Sequence, residues 1–141
     1  MDMNMIRALK IILLISISSS MYAKADCWLV ANLHGYGAFS GDNYSYGKDA
    51  VTDGVFKVYI SNGKAGIYNV SQNYAPDMRY TAVSDNSIVG VYQAGGGITI
   101  ETWSITTDKK AIYSKVMNTP GIQRLTSTKS FVGDVVGNCS E

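Results

Sequence analysis

The sequence predicts an all-β domain: a small antiparallel barrel or sandwich of about eight strands, with its ends joined by a disulfide. Three observations carry that expectation. Short runs rich in Val, Ile, Tyr and Thr recur along the chain, and Gly, Asn, Asp and Ser separate them at the spacing of antiparallel sheets. Past residue 25 no stretch carries the 3.6-residue apolar stripe of a helix. One cysteine stands near each end of what remains, Cys27 and Cys139.

Residues 1–25 read as a cleaved secretory signal. Arg7 and Lys10 form a basic head, residues 11–17 are aliphatic except for Ser16, and Ala23-Lys24-Ala25 offers small residues to a signal peptidase. The apolar run is about half of the roughly 20 residues needed to span a bilayer. A lipoprotein signal needs a small residue immediately before its cysteine, and Asp26 stands there instead, which leaves Cys27 unlipidated. The expected product is one β domain over residues 26–141, exported to the periplasm or the extracellular space, with no membrane span. An outer-membrane barrel is not expected, because Lys57, Glu101 and Lys115 interrupt the candidate strands.

An even cysteine pair in an exported chain predicts a Cys27–Cys139 bridge. Bridged cysteines have Cα atoms within about 7 Å, so the first and last segments must lie side by side. A sheet that meets this condition closes on itself.

The expected strands follow in order. Residues 27–33 form the first. Residues 55–61 alternate Phe56, Val58 and Ile60 against Val55, Lys57 and Tyr59, and Asn62-Gly63 then suits a tight hairpin returning through 65–70. Residues 79–83 and 88–93 flank the polar Ser84-Asp85-Asn86-Ser87, and Gly95-Gly96-Gly97 ends the second of them. Residues 98–105 and 111–117 pair around Thr107-Asp108-Lys109, and 129–136 leads into Cys139. Residues 34–54 and 118–128 read as long loops, the latter with a Pro120-Gly121 turn and a single helical turn near Ser127.

Charge and motif content exclude several functions. Losing Arg7, Lys10, Lys24 and Asp2 with the signal reduces 12 basic and 11 acidic residues to nine and ten, and no basic run exceeds Lys109-Lys110. No nucleic-acid partner is expected. His34 is the sole histidine and no G-x-S-x-G element exists, so neither a catalytic triad nor a zinc site is expected. Asp42, Asn43, Asp49 and Asp53 are locally dense, but Tyr44 and Tyr46 stand where a calcium loop alternates ligands, and no metal or other cofactor is expected. The glycine clusters Gly35-Tyr36-Gly37 and Gly95–Gly97 precede no helix and read as turns rather than phosphate cradles. Glu101, beside Thr99 and Trp103, is expected on an exposed face; a glycosidase would need it paired with Asp134 or Asp108.

What remains is the segment 34–54, where Gly, Ser and Asn are interleaved with Tyr36, Phe39, Tyr44 and Tyr46. Tyrosine offers large contact area at low entropic cost, and this mixture suits a recognition surface. The leading expectation is therefore a non-catalytic binding protein that recognises a protein or glycan through these four residues, for instance an inhibitor of a foreign hydrolase. Two alternatives belong to other classes. A small-ligand carrier of lipocalin type requires a large cavity inside a closed barrel, and a carboxylate-dependent hydrolase of envelope sugars requires Glu101 in a pocket with an aspartate.

Overall fold

The computed structural model describes residues 26–139, so the expected signal segment lies outside the described residues. They form nine strands: β1 (Asp26–Phe39), β2 (Tyr46–Val51), β3 (Phe56–Ser61), β4 (Lys64–Asn69), β5 (Arg79–Ser84), β6 (Ser87–Ala94), β7 (Gly97–Ile105), β8 (Lys110–Asn118) and β9 (Ser127–Asn138). The order is β4-β3-β1-β9-β8-β7-β6-β5, with every hydrogen-bonded pair antiparallel. β3 pairs with the first half of β1 and β2 with the second half, so these two short strands share one place in the wall. The result is an eight-membered, nearly closed barrel rather than a sandwich. No helix among the described residues is long and apolar enough to cross a membrane.

The long β1–β9 ladder joins the beginning of the chain to its end, and the Cys27–Cys139 disulfide locks it at a Cα separation of 5.0 Å. That end of the barrel is its floor. The tight turns 62–63, 85–86 and 106–109 lie there too, while the longer connections 40–45, 70–78 and 119–126 surround the opposite mouth. Asn62 and Gly63 both have positive φ, 49° and 75°, as a primed hairpin turn requires. Gly95 and Gly96 do the same between β6 and β7.

Cross-strand register stacks the inward side chains in rows. Nearest the floor lie Ile105, Ala111 and Gly133; above them come Ile88, Trp103, Tyr113 and Phe131. Val30, Val58, Ile60 and Ile67 complete a continuous apolar core in this lower half. Trp103 packs on Tyr113 with ring centroids 4.6 Å apart and on Phe56 at 5.4 Å, tilted geometries that aromatic pairs favour. β1 reaches the core twice because a bulge resets its phase: Asn32 adopts φ 57°, so both Val30 and Leu33 are buried.

One expectation needs correction. Residues 34–54 are not a loop but the end of β1, a 3-10 turn at Ser40–Asp42 and the whole of β2. The glycines that suggested turns permit close strand packing instead. A Cβ on Gly35 would stand 2.1 Å from the Ser130 carbonyl oxygen of β9, so only glycine fits there. Ser127 itself opens β9 opposite Met117, and the turn expected near it lies just before, where the Ile122 carbonyl accepts from the N–H groups of Leu125 and Thr126 at 3.0 and 3.4 Å.

The disulfide closes a loop with a sequence separation of 112. Removing it in a Cys27→Ser/Cys139→Ser double variant is expected to lower the unfolding free energy by about 4–5 kcal/mol, the loop-entropy value for this length. Urea denaturation of the oxidised protein and the variant measures the difference.

Candidate functional site

Above the aromatic row the barrel is not filled. A cavity of about 640 Å³ opens to the mouth, with Trp103, Tyr113 and Phe131 as its base. Phe56, Ile67 and Leu33 line the wall made by β3, β4 and β1, and Glu101, Lys115 and Lys129 line the wall made by β7, β8 and β9. Thr99, Met117, Ser127 and Phe39 form the rim.

The charged wall is a single register row. Tyr80 on β5 lies opposite Gly90 on β6, which lies opposite Glu101 on β7; Lys115 on β8, Lys129 on β9 and Gly37 on β1 follow. The glycines in this row make room for their neighbours. A Cβ on Gly90 would come within 2.5 Å of the Tyr80 ring, so the bare backbone is the seat on which the tyrosine lies to reach Glu101. At Gly37 a Cβ would stand 3.3 Å from Asp49 Oδ2, in the space where the Lys129 side chain crosses β1. Lys129 Nζ reaches that carboxylate at 2.8 Å and also lies 5.1 Å from the Phe39 ring centroid.

Glu101 corrects the expectation of an exposed face, since only 5% of the residue is accessible. A buried carboxylate persists only if its lone pairs are met. The Tyr80 hydroxyl and the Trp103 indole N–H donate to Oε1 at 2.5 and 3.0 Å, and the Tyr113 hydroxyl donates to Oε2 at 3.1 Å. Burial, followed by the adjacent Glu101 charge and hydrogen bond, raises both phenols well above the ordinary tyrosine value of 10.0. The Lys115 ammonium lies 3.8 Å from Oε2, a looser contact than the one Lys129 makes with Asp49.

The four residues expected to bind a partner are not brought together. Phe39 turns toward the cavity rim. Tyr36 and Tyr46 share the outer face of the β1–β2 hairpin, 53% and 71% exposed, and Tyr44 sits in the connecting turn, 56% exposed. A second, outer hollow of about 500 Å³ lies on that hairpin, lined by His34, Tyr36, Lys48 and Asp49. The His34 ring hydrogen-bonds the Asn32 carbonyl at 2.7 Å. Asp134 and Asp108 lie at the floor end, away from Glu101. Asp134 pairs with Lys110 at 2.7 Å and accepts from Asn32 at 3.0 Å, and Asp108 accepts from Thr106. Sequence reasoning missed Lys115 and Lys129 as site residues; the signal for them was their even-numbered spacing from the apolar Tyr113 and Phe131 on their own strands.

No known protein family, curated protein or solved structure matches this chain.

The two raised phenols predict a pH dependence. A group whose folded value lies above its unfolded value leaves stability intact below the unfolded value and erodes it as pH rises beyond. Stability is therefore expected to fall progressively above about pH 10. Tyrosinate absorbance and circular dichroism, followed together, should show Tyr80 and Tyr113 ionising only as the barrel unfolds.

Proposed function

We propose that this is an exported, non-catalytic binding protein whose barrel takes up a small amphipathic molecule. The observation that carries the reading is the open cavity of about 640 Å³, within the range of small-molecule sites. An eight-strand barrel is just wide enough for side chains to fill, so a large open volume in its upper half calls for an occupant. Its lining supports the same reading: an aromatic base, an apolar wall and a few convergent polar groups. Export is supported by the three-part N-terminal segment and by a bridged cysteine pair, which persists in oxidising compartments. The hydrolase alternative is less well supported, because the Glu101 oxygens are already engaged by three donors.

Nile red, an uncharged lipophilic dye, tests the cavity on the full-length protein. Saturable binding near one dye per chain is expected. Thr99→Phe, which places a ring into the space above Trp103, should weaken it at least tenfold with the circular dichroism spectrum unchanged. No saturable binding, or binding indifferent to Thr99→Phe in a folded variant, would sink the proposal.

A second reading keeps the outer hairpin as a docking surface for a protein or glycan, because Tyr36, Tyr44 and Tyr46 are each more than half exposed. Affinity capture from envelope and host-secretion extracts compares the native protein with a Tyr36/Tyr44/Tyr46 triple alanine variant. A partner that is lost in the variant, while dye binding persists, would support this surface; a partner captured equally by both would refute it.

A further inference from the structure

We infer that the molecule taken up by the cavity is an amphipathic anion whose head group sits between Lys115 and Lys129. This rests on the cavity being a ligand site, and it adds the ligand's charge and orientation.

Lys115 and Lys129 are direct cross-strand partners on the inner face of β8 and β9, and both line the cavity. Like charges placed opposite one another destabilise a sheet unless something neutralises them. Their carboxylates do so only from the outside of the pair. The order along the row is Glu101, Lys115, Lys129 and then Asp49 across Gly37, which leaves the two ammonium-bearing side chains adjacent. Lys129 is held by Asp49 at 2.8 Å. Lys115 is 3.8 Å from a carboxylate that three neutral donors already satisfy, so Glu101 does not depend on it. Of the two paired lysines, Lys115 is therefore the one with hydrogen-bonding capacity to spare, and an oxyanion beside it would also relieve its repulsion with Lys129.

The rest of the cavity fixes the ligand's other end. On β3 and β4, Phe56 and Ile67 present an uncharged wall that Leu33 of β1 extends, and Met78 and Met117 add adaptable apolar contacts nearer the mouth. A head on the β8–β9 wall leaves the apolar body against β3 and β4. A cationic head would find Glu101 enclosed by its donors with two lysines beside it, while the other charged lining residues, Asp77 and Arg124, are one of each sign.

Displacement of Nile red from the full-length protein by three probes with one twelve-carbon chain tests this: dodecanoate, dodecanol and dodecyltrimethylammonium, each below its micelle concentration. Dodecanoate is expected to bind at least tenfold more tightly than dodecanol, with the ammonium weakest. Lys115→Met should erase most of that preference while leaving dodecanol unchanged, and Lys115→Arg should preserve it. Equal binding of dodecanoate and dodecanol, a preference for the ammonium, or a preference that survives in Lys115→Met would overturn the anionic head group yet leave the cavity reading intact. Failure of all three to displace the dye would overturn the inference, and failure of the dye itself to bind would overturn the cavity reading beneath it. Should Lys115→Met not fold, the ranking of the three heads on the native protein decides alone.

Discussion

Removing a carboxylate from water costs several kcal/mol unless protein groups replace the lost hydration, and at Glu101 they do. Its three donors come from three places: Tyr80 on β5, Trp103 on its own strand β7, and Tyr113 on β8. The hub thus fixes aromatic rings that also form the base of the cavity, and it reaches across β6 to hold β5 in place. Rotating any of those rings into the open space above would leave a buried hydroxyl or indole N–H, or the carboxylate itself, without its partner. The cavity stays open partly because the aromatic groups best able to collapse into it are bound from the side.

Satisfaction of Glu101 by neutral donors also shapes the electrostatics above it. Where a buried carboxylate leans on a single lysine, the two charges neutralise each other and neither is available. Here the hydrogen bonds carry that burden, and Lys115 stands beside an anion that does not need it. The uncharged groups on one side of the row therefore determine how much positive character the other side presents to the cavity.

Much of the fold was legible in the sequence, because hairpin chemistry is local. Asn62-Gly63 and the Gly95-Gly96 pair tolerate the positive φ that a tight turn requires, and both mark turns in the structure. The cysteine pair was informative for a different reason: a bridge between Cys27 and Cys139 leaves few topologies, and a barrel closing first strand to last is among them. The interior was less readable. Both faces of β7 mix polar and apolar residues, with Thr99, Glu101 and Trp103 on one and Ile100, Thr102 and Ser104 on the other. Alternation alone could not say which face turned inward, and Glu101 was assigned to the wrong one. Glycine misled at Gly35 and Gly37 because a missing Cβ serves a tight turn and a tight strand contact equally well, and only the neighbouring strand distinguishes them.

The wall is continuous except at one seam. Among the described residues no ladder joins β4 to β5; the Asn69–Tyr74 bridge just before β5 is the nearest pairing. A fully bonded hoop resists widening everywhere, since any increase in girth must stretch or break hydrogen bonds. A hoop with a slit has one compliant direction. Its opposite side, the β1–β9 ladder with its disulfide, then acts as the spine of a clasp. Parting β4 from β5 would widen the barrel at the cost of side-chain contacts and not of ladder hydrogen bonds. Elasticity concentrated along one line lets such a barrel change girth at its mouth while its floor keeps its shape.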